Sequence, residues 1–232
     1  LTRPFRGYTE PEVFVEIPSG AGPRAIGPRL IAAGIFRDEL TYRAALWRSG
    51  QARRLKAGEY RFDREMTPLE VLDKIARGDV YLLSLTFREG LTIAEMAQVF
   101  ETHGFGPAKT FMAAAADASL VHDLDSEAKD LEGYLFPDTY SLPRGSDAAR
   151  VVRAMVDRFQ QVATPELRQA AAARGFTVRQ LVTLASLVEK ETAKPEERPL
   201  VAAVYANRLK IGMGLQCDPT VIYALQRAGR YT

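Results

Sequence analysis

The sequence predicts an α+β fold, a small strand-and-helix unit followed by a mostly helical region. Three observations predict it. A strand, glycine turn and helix occur twice at a constant offset of 70 residues, at 16–36 and 86–105. Short runs with period-two character, "AGEYRF" and "YLLSLTF", read as strands set between helical patterns. Beyond residue 145, every segment between turn signals has helical periodicity, and most open on a capping residue. The chain has 232 residues, of which 47% are hydrophobic and 26% charged. That is enough apolar surface for a core in one large or two modest domains, and too much for a disordered chain.

The first copy is "EIPSGAGPRAIGPRLIAAGIF" and the second "TFREGLTIAEMAQVFETHGF". Ile17 aligns with Phe87, Gly20 with Gly90, Gly27 with Ala97, Leu30 with Phe100 and Gly34 with Gly104. Each helix is stopped by a glycine, the usual residue just past a helix end. In the second copy Thr92 and Glu95 form a capping box. After the first copy, "DELTYRAALWRSG" reads as a helix. "MTPLEVLDKIARGDV" is another, with Thr67 as cap, Pro68 at its first position and Gly78 after its end. "GPAKTFMAAAAD" repeats the helix that follows the first copy. Residues 12–80 are therefore expected to be one small β/α unit whose pattern recurs in part.

"DLEGYLFPDTYSLPRG", with two prolines and two glycines, reads as an ordered loop between helices. "SDAARVVRAMVDRFQQVA" can start at Asp147, "TPELRQAAAARG" at Thr164, and "TVRQLVTLASLVEKETA" at a Thr177–Gln180 capping box. "PEERPLVAAVYANRLKIGMG" and "DPTVIYALQRAG" complete the helical part, the last with Asp218 as expected cap.

The net charge of +2 is too balanced to argue for nucleic acid. Charge is uneven, however. Residues 24–64 hold ten basic side chains against four acids. Both a solvated arginine face and a surface near anionic lipid headgroups fit that pattern. One cysteine, Cys217, rules out an internal disulfide. No stretch approaches the roughly 20 apolar residues of a membrane span. The opening "LTRPFRGYTE" lacks a methionine and reads as a processed N-terminus, residues 1–11 being a linker after a removed anchor.

Catalytic options narrow quickly. His103 and His122 are the only histidines and have no metal-ligand spacing, so no metal or cofactor is expected. No glycine-rich phosphate loop precedes a helix. Carboxylates remain, and the notable ones are Glu189 and Glu191, at the end of the apolar run "QLVTLASLVEKE". The run is apolar on most sides, which implies a buried helix. At about 100° per residue the two glutamates point about 200° apart, so they are not an adjacent pair. A carboxyl group among apolar side chains holds its proton more tightly, as a general acid requires. Spacing alone equally allows a frayed helix end paired with Lys190, Lys194 or Arg198.

Four motifs, "AGEYRF", "LEGYLFPDTY", "ASLVEKET" and "ANRLKIGMGLQCDPTVIYAL", lie in the order found in the YceG-like family of endolytic murein transglycosylases, which the chain resembles from about residue 12 to its end. The resemblance implies a LysM-like subdomain over 12–80 and a catalytic domain over 81–232, shorter than the family's at its C-terminus. It implies cleavage of the MurNAc-β-1,4-GlcNAc bond in peptidoglycan, leaving 1,6-anhydro-MurNAc ends, with Glu189 as acid and base. No water is activated, so no second carboxylate is needed, unlike the paired-carboxylate hydrolases.

Glu189 is then expected in an open cleft with few charged donors near it, and Glu191 outside it. Glu132, Tyr134, Tyr140, Asn207, Gln216 and Asp218 are candidate substrate contacts, although Glu132 and Asp218 also suit helix caps and the tyrosines suit core packing. The family plan further implies a single-pass anchor in the bacterial inner membrane, a catalytic domain on the periplasmic side, and peptidoglycan synthases as candidate partners. The competing readings are a non-catalytic wall-binding scaffold and a conventional glycoside hydrolase.

Overall fold

In a computed structural model describing residues 1–230, the chain divides into two units. Residues 231 and 232, the last of the second expected domain, lie outside the described residues. The first unit comprises Leu1–Ser84 with Ser141–Gly145. It contains β1 (Val13–Ile17), α1 (Pro23–Ala32), α2 (Glu39–Ser49), β2 (Gly58–Phe62) and α3 (Pro68–Arg77). β1 and β2 pair antiparallel, with Val15 opposite Tyr60. Alternation turns Val15, Ile17, Tyr60 and Phe62 inward, where Leu30 and Leu72 meet them. The buried Tyr60 hydroxyl lies 2.9 Å from the Lys56 carbonyl and 3.2 Å from that of Ile75.

α1 and α2 pack closely because Gly27 has no side chain. A Cβ there would lie 2.6 Å from the Tyr42 ring. Tyr42 fills that space, and its hydroxyl donates to the Pro23 carbonyl at 2.8 Å. α3 has the expected Thr67–Glu70 capping box and a left-handed Gly78 at its end.

The second unit, Leu85–Tyr140 and the residues from Ser146 on, contains α4 (Ile93–Thr102), α5 (Ala108–Ala115), a 3-10 turn at Ala118–Val121, α6 (Ala148–Val162), α7 (Pro165–Ala172), α8 (Val178–Glu191), α9 (Arg198–Lys210) and α10 (Asp218–Arg227). β3 (Leu82–Thr86) pairs with β4 (Thr139–Pro143). Phe87, Phe100 and Phe111 form a ring cluster, with centroids 5.4–5.9 Å apart. The inner face of α6, with Val151, Val152 and Met155 fully buried, adds to this core. A small separate cluster, Leu187, Val188, Tyr205 and Cys217, holds α8 and α9 together.

The duplicated pattern is present in the backbone. α1 and α4 start and stop 70 residues apart, and Gly20, Gly34, Gly90 and Gly104 all lie in turns at φ between 69° and 78°. Only glycine adopts that region without strain.

Three expectations are corrected. The segment expected to be loop contains β4, because "TYSLP" alternates and its proline is the last residue of an edge strand in a two-stranded sheet, where proline is tolerated. Asp218 is the first residue of α10; the cap position is Cys217, without a side-chain cap bond. α8 is not buried on most sides, only Leu187 and Val188 being so, because α7, α9 and α10 cover just part of it.

Candidate active site

α8 begins at its predicted capping box and is fixed there by a second device. Arg179 forks onto Asp125, Nε to Oδ2 at 2.6 Å and Nη2 to Oδ1 at 2.7 Å. The Tyr134 hydroxyl donates to the same Oδ2 at 2.6 Å. The Arg179 bond, aided by Tyr134, holds the Asp125 carboxyl below the usual aspartate range. The Tyr134 phenol is pushed up to about 12, first by burial and then by Asp125. Gly133, at φ +87°, lets this loop rest on α8, since a Cβ would lie 2.9 Å from Val182. Val182 is two turns before Glu189 on one helical stripe.

At the other end Thr192 terminates α8 in an extended conformation. Its hydroxyl donates to Glu197 Oε2 at 2.8 Å and accepts from the Lys194 amide at 3.1 Å. This knit turn delivers Arg198, the first residue of α9, to the last turn of α8.

Glu189 lines an open groove of about 460 Å³ between α8 and α9. Its walls are Leu181, Leu184, Ala185, Val188, Pro199 and Ala202. The apolar walls match the expectation, but the scarcity of charged donors does not. Arg198 Nη2 is 3.0 Å from Glu189 Oε2, and Arg198 Nε is buried without a hydrogen-bond partner. The other candidate cations are elsewhere: Lys194 pairs with Glu197 at 2.9 Å and Lys190 lies beside Gly90. The sequence signal for Arg198 was its place just before Pro199 at a helix start, nine residues after Glu189.

Glu191 does not line the groove. Tyr205 donates to its Oε2 at 2.9 Å, and Cys217 Sγ is 3.1 Å from the same hydroxyl. Burial, then the bonds to Cys217 and Glu191, raises the Tyr205 phenol. This arrangement lies outside the groove lining and belongs to the α8–α9 packing cluster of Leu187, Val188, Tyr205 and Cys217.

The remaining candidates do not gather at Glu189. Glu132 occupies a second cleft of about 540 Å³ with Asp130, Tyr223 and Arg227. Both its oxygens lie 3.3 Å from the Ile93 amide, so it caps α4. Burial raises its carboxyl above the usual glutamate range, against the opposing Ile93 amide. Tyr134 is 3% exposed, which makes it core and removes it as a sugar platform. Tyr140 is half-buried, packs edge-on to Phe87 and donates to the Phe136 carbonyl at 2.6 Å. Asn207 and Asp218 are exposed, and Gln216 is exposed at φ 49°, an unusual backbone for a residue with a side chain.

A profile of the YceG-like family matches residues 15–232. A Streptococcus pneumoniae (strain D39) protein described as an endolytic murein transglycosylase is 30% identical over 253 residues, covering 98% of this chain and 46% of its own. A Bacillus subtilis (strain 168) protein of the same description is 27% identical over 243 residues, covering 97% and 66%. The chain thus spans about half the length of the first of these relatives. A crystal structure of a yceG-like protein from Listeria monocytogenes superposes with a TM-score of 0.56 at 26% identity, over 94% of this chain and 76% of that one.

Proposed function

We propose that this chain, which belongs to the YceG-like family, is the catalytic part of an endolytic peptidoglycan lytic transglycosylase in which Glu189 serves as acid and then base. The observation that carries the reading is Glu189 on the floor of an open, apolar-walled groove, its neighbour Glu191 being engaged in packing. The naming of the relatives supports the reaction class.

In the first step the Glu189 proton passes to the glycosidic oxygen, the MurNAc C1–O bond breaks, and GlcNAc leaves with its hydroxyl restored. In the second, the Glu189 carboxylate takes the proton of the MurNAc C6 hydroxyl while O6 bonds to C1. The product is the 1,6-anhydro sugar, Glu189 regains its proton and no water is consumed. Arg198 has a defined part in this scheme. Arg198 Nη2 lies against Glu189 Oε2, and in this scheme the entering glycan competes for those donors and frees Oε2 to face the glycosidic oxygen. A hydroxyl or carboxylate of the glycan also offers the partner that buried Nε lacks.

Within this reading residues 12–80 are the LysM-like subdomain, and the protein works on the cell-wall side of the inner membrane, tethered ahead of residue 12, with peptidoglycan synthases as partners. Glu132 acts on the reaction indirectly, through the Gly133 contact with α8. The test is mass spectrometry of isolated peptidoglycan after incubation with the protein. Anhydro ends that disappear in Glu189→Gln, with a rate loss of about 10²–10⁴-fold, are expected. Reducing ends would mark a hydrolase, and intact strands with retained binding a scaffold.

A further inference from the structure

The first unit has an outward face with the make-up of an interfacial helix. In α2, Trp47 is 86% exposed and Leu40 79% exposed. Placing Leu40 at zero and advancing about 100° per residue, Ala44 lies near +40° and Trp47 near −20°. Arg43 flanks this stripe near −60° and Arg48 near +80°. The buried residues Tyr42 and Ala45 lie near 200° and 140°, on the opposite side, which the core already holds. Ala44, Arg43 and Arg48 are exposed, as are Arg53 and Arg54 in the turn that follows. None of these four arginines makes an ion pair among the described residues. Of the acids at the start of α2, Asp38 is occupied capping Thr41, and Glu39 lies off the stripe near −100°.

We propose that this face of α2 rests on an anionic membrane surface, with Leu40, Ala44 and Trp47 entering the headgroup region and Arg43, Arg48, Arg53 and Arg54 meeting lipid phosphates. Charge complementarity selects this occupant. Unpaired arginines on both flanks of a narrow apolar stripe fit a plane of phosphates, and tryptophan favours the membrane–water boundary. The stripe is too narrow to span anything and is held parallel to the surface by the buried side of the same helix. The inference concerns the first unit and stands apart from the carboxylate chemistry of α8.

Trp47 is the chain's one tryptophan, so its emission reports on this face without labelling. The whole chain is titrated with vesicles of phosphatidylglycerol in phosphatidylcholine, and with phosphatidylcholine alone. A blue shift confined to the anionic vesicles, quenched by lipid brominated in its acyl chains and weakened by salt, is expected. Arg43→Gln and Arg48→Gln should each weaken partitioning about fivefold. Leu40→Ser should weaken it without changing the salt dependence. Sedimentation with vesicles while Trp47 emission stays unchanged would overturn the proposal, because another part of the chain would then be adsorbing. So would a blue shift produced by soluble GlcNAc oligomers and not by vesicles, which would make the face a sugar platform. Circular dichroism of each variant separates loss of binding from loss of fold.

Discussion

Glu189 and Glu191 are two residues apart and have different jobs, and single substitutions should separate them. Glu191→Gln keeps an oxygen for the Tyr205 hydroxyl and is expected to leave glycan cleavage intact. Its cost is read in the melting curve, at about 1 kcal/mol for weakening a bond to a charged acceptor. Glu189→Gln should abolish product while changing stability by no more than about 1 kcal/mol, because its ion pair with Arg198 is one-third exposed. Glu132 offers a test with a sign. Burial raises its folded pKa, so the folded state holds the proton more tightly than the unfolded one. Stability is therefore lost as pH rises from the unfolded value, near 4.3, through the folded one. Glu132→Gln should raise the melting temperature at pH 7, and the gain should vanish below about pH 4. At this scale the sequence marked Glu189 by its motif and Glu191 by helical angle. Arg198 was named as one possible partner among three, since only the turn built on Thr192 decides which cation arrives.

α8 is the element that makes the site, and it is fastened at both ends. The Asp125–Arg179–Tyr134 cluster is its N-terminal anchor. Asp125→Asn should cost about 1 kcal/mol at neutral pH, less than a buried charged hydrogen bond because Arg179 is 43% exposed. The folded carboxyl is depressed, so its stabilisation is present above the unfolded pKa, near 3.9, and is lost as pH falls through the folded value. Melting curves of the two proteins should therefore converge in acid. Cleavage should also slow if the helix start shifts Glu189. The start of α8 was legible from Thr177 and Gln180, because capping is chemistry between near neighbours. Its exposure was not. An apolar run predicts burial only if the fold supplies enough cover, and that depends on partners far away in sequence. β4 was missed for the related reason that two prolines and two glycines mask a five-residue alternation.

Across the molecule, buried contacts are unevenly distributed. The first unit and α6 have fully buried cores, whereas α9 buries only Tyr205 and α10 has no buried residue. Hydrogen exchange should reflect this, with α9 and α10 amides exchanging well before those of α1, α3 and α6. Uniform protection along the chain, read by mass spectrometry, would contradict it. The α+β class was legible because the offset of 70 is a property of the letters themselves. The same offset has a consequence for ancestry. If the two copies descend from one, the offset of 70 drops to 69 at the next helix, α2 starting at Glu39 and α5 at Ala108, and buried Phe111 stands where buried Tyr42 does. The second copy thus keeps a ring with Ala97 in place of the glycine, and the connection between its two helices is one residue shorter, Thr102 to Ala108 against Ala32 to Glu39. A side chain at Gly27 in this chain would come within 2.6 Å of the buried Tyr42 ring, so a length change in one connection and the residue facing the ring belong to one packing solution.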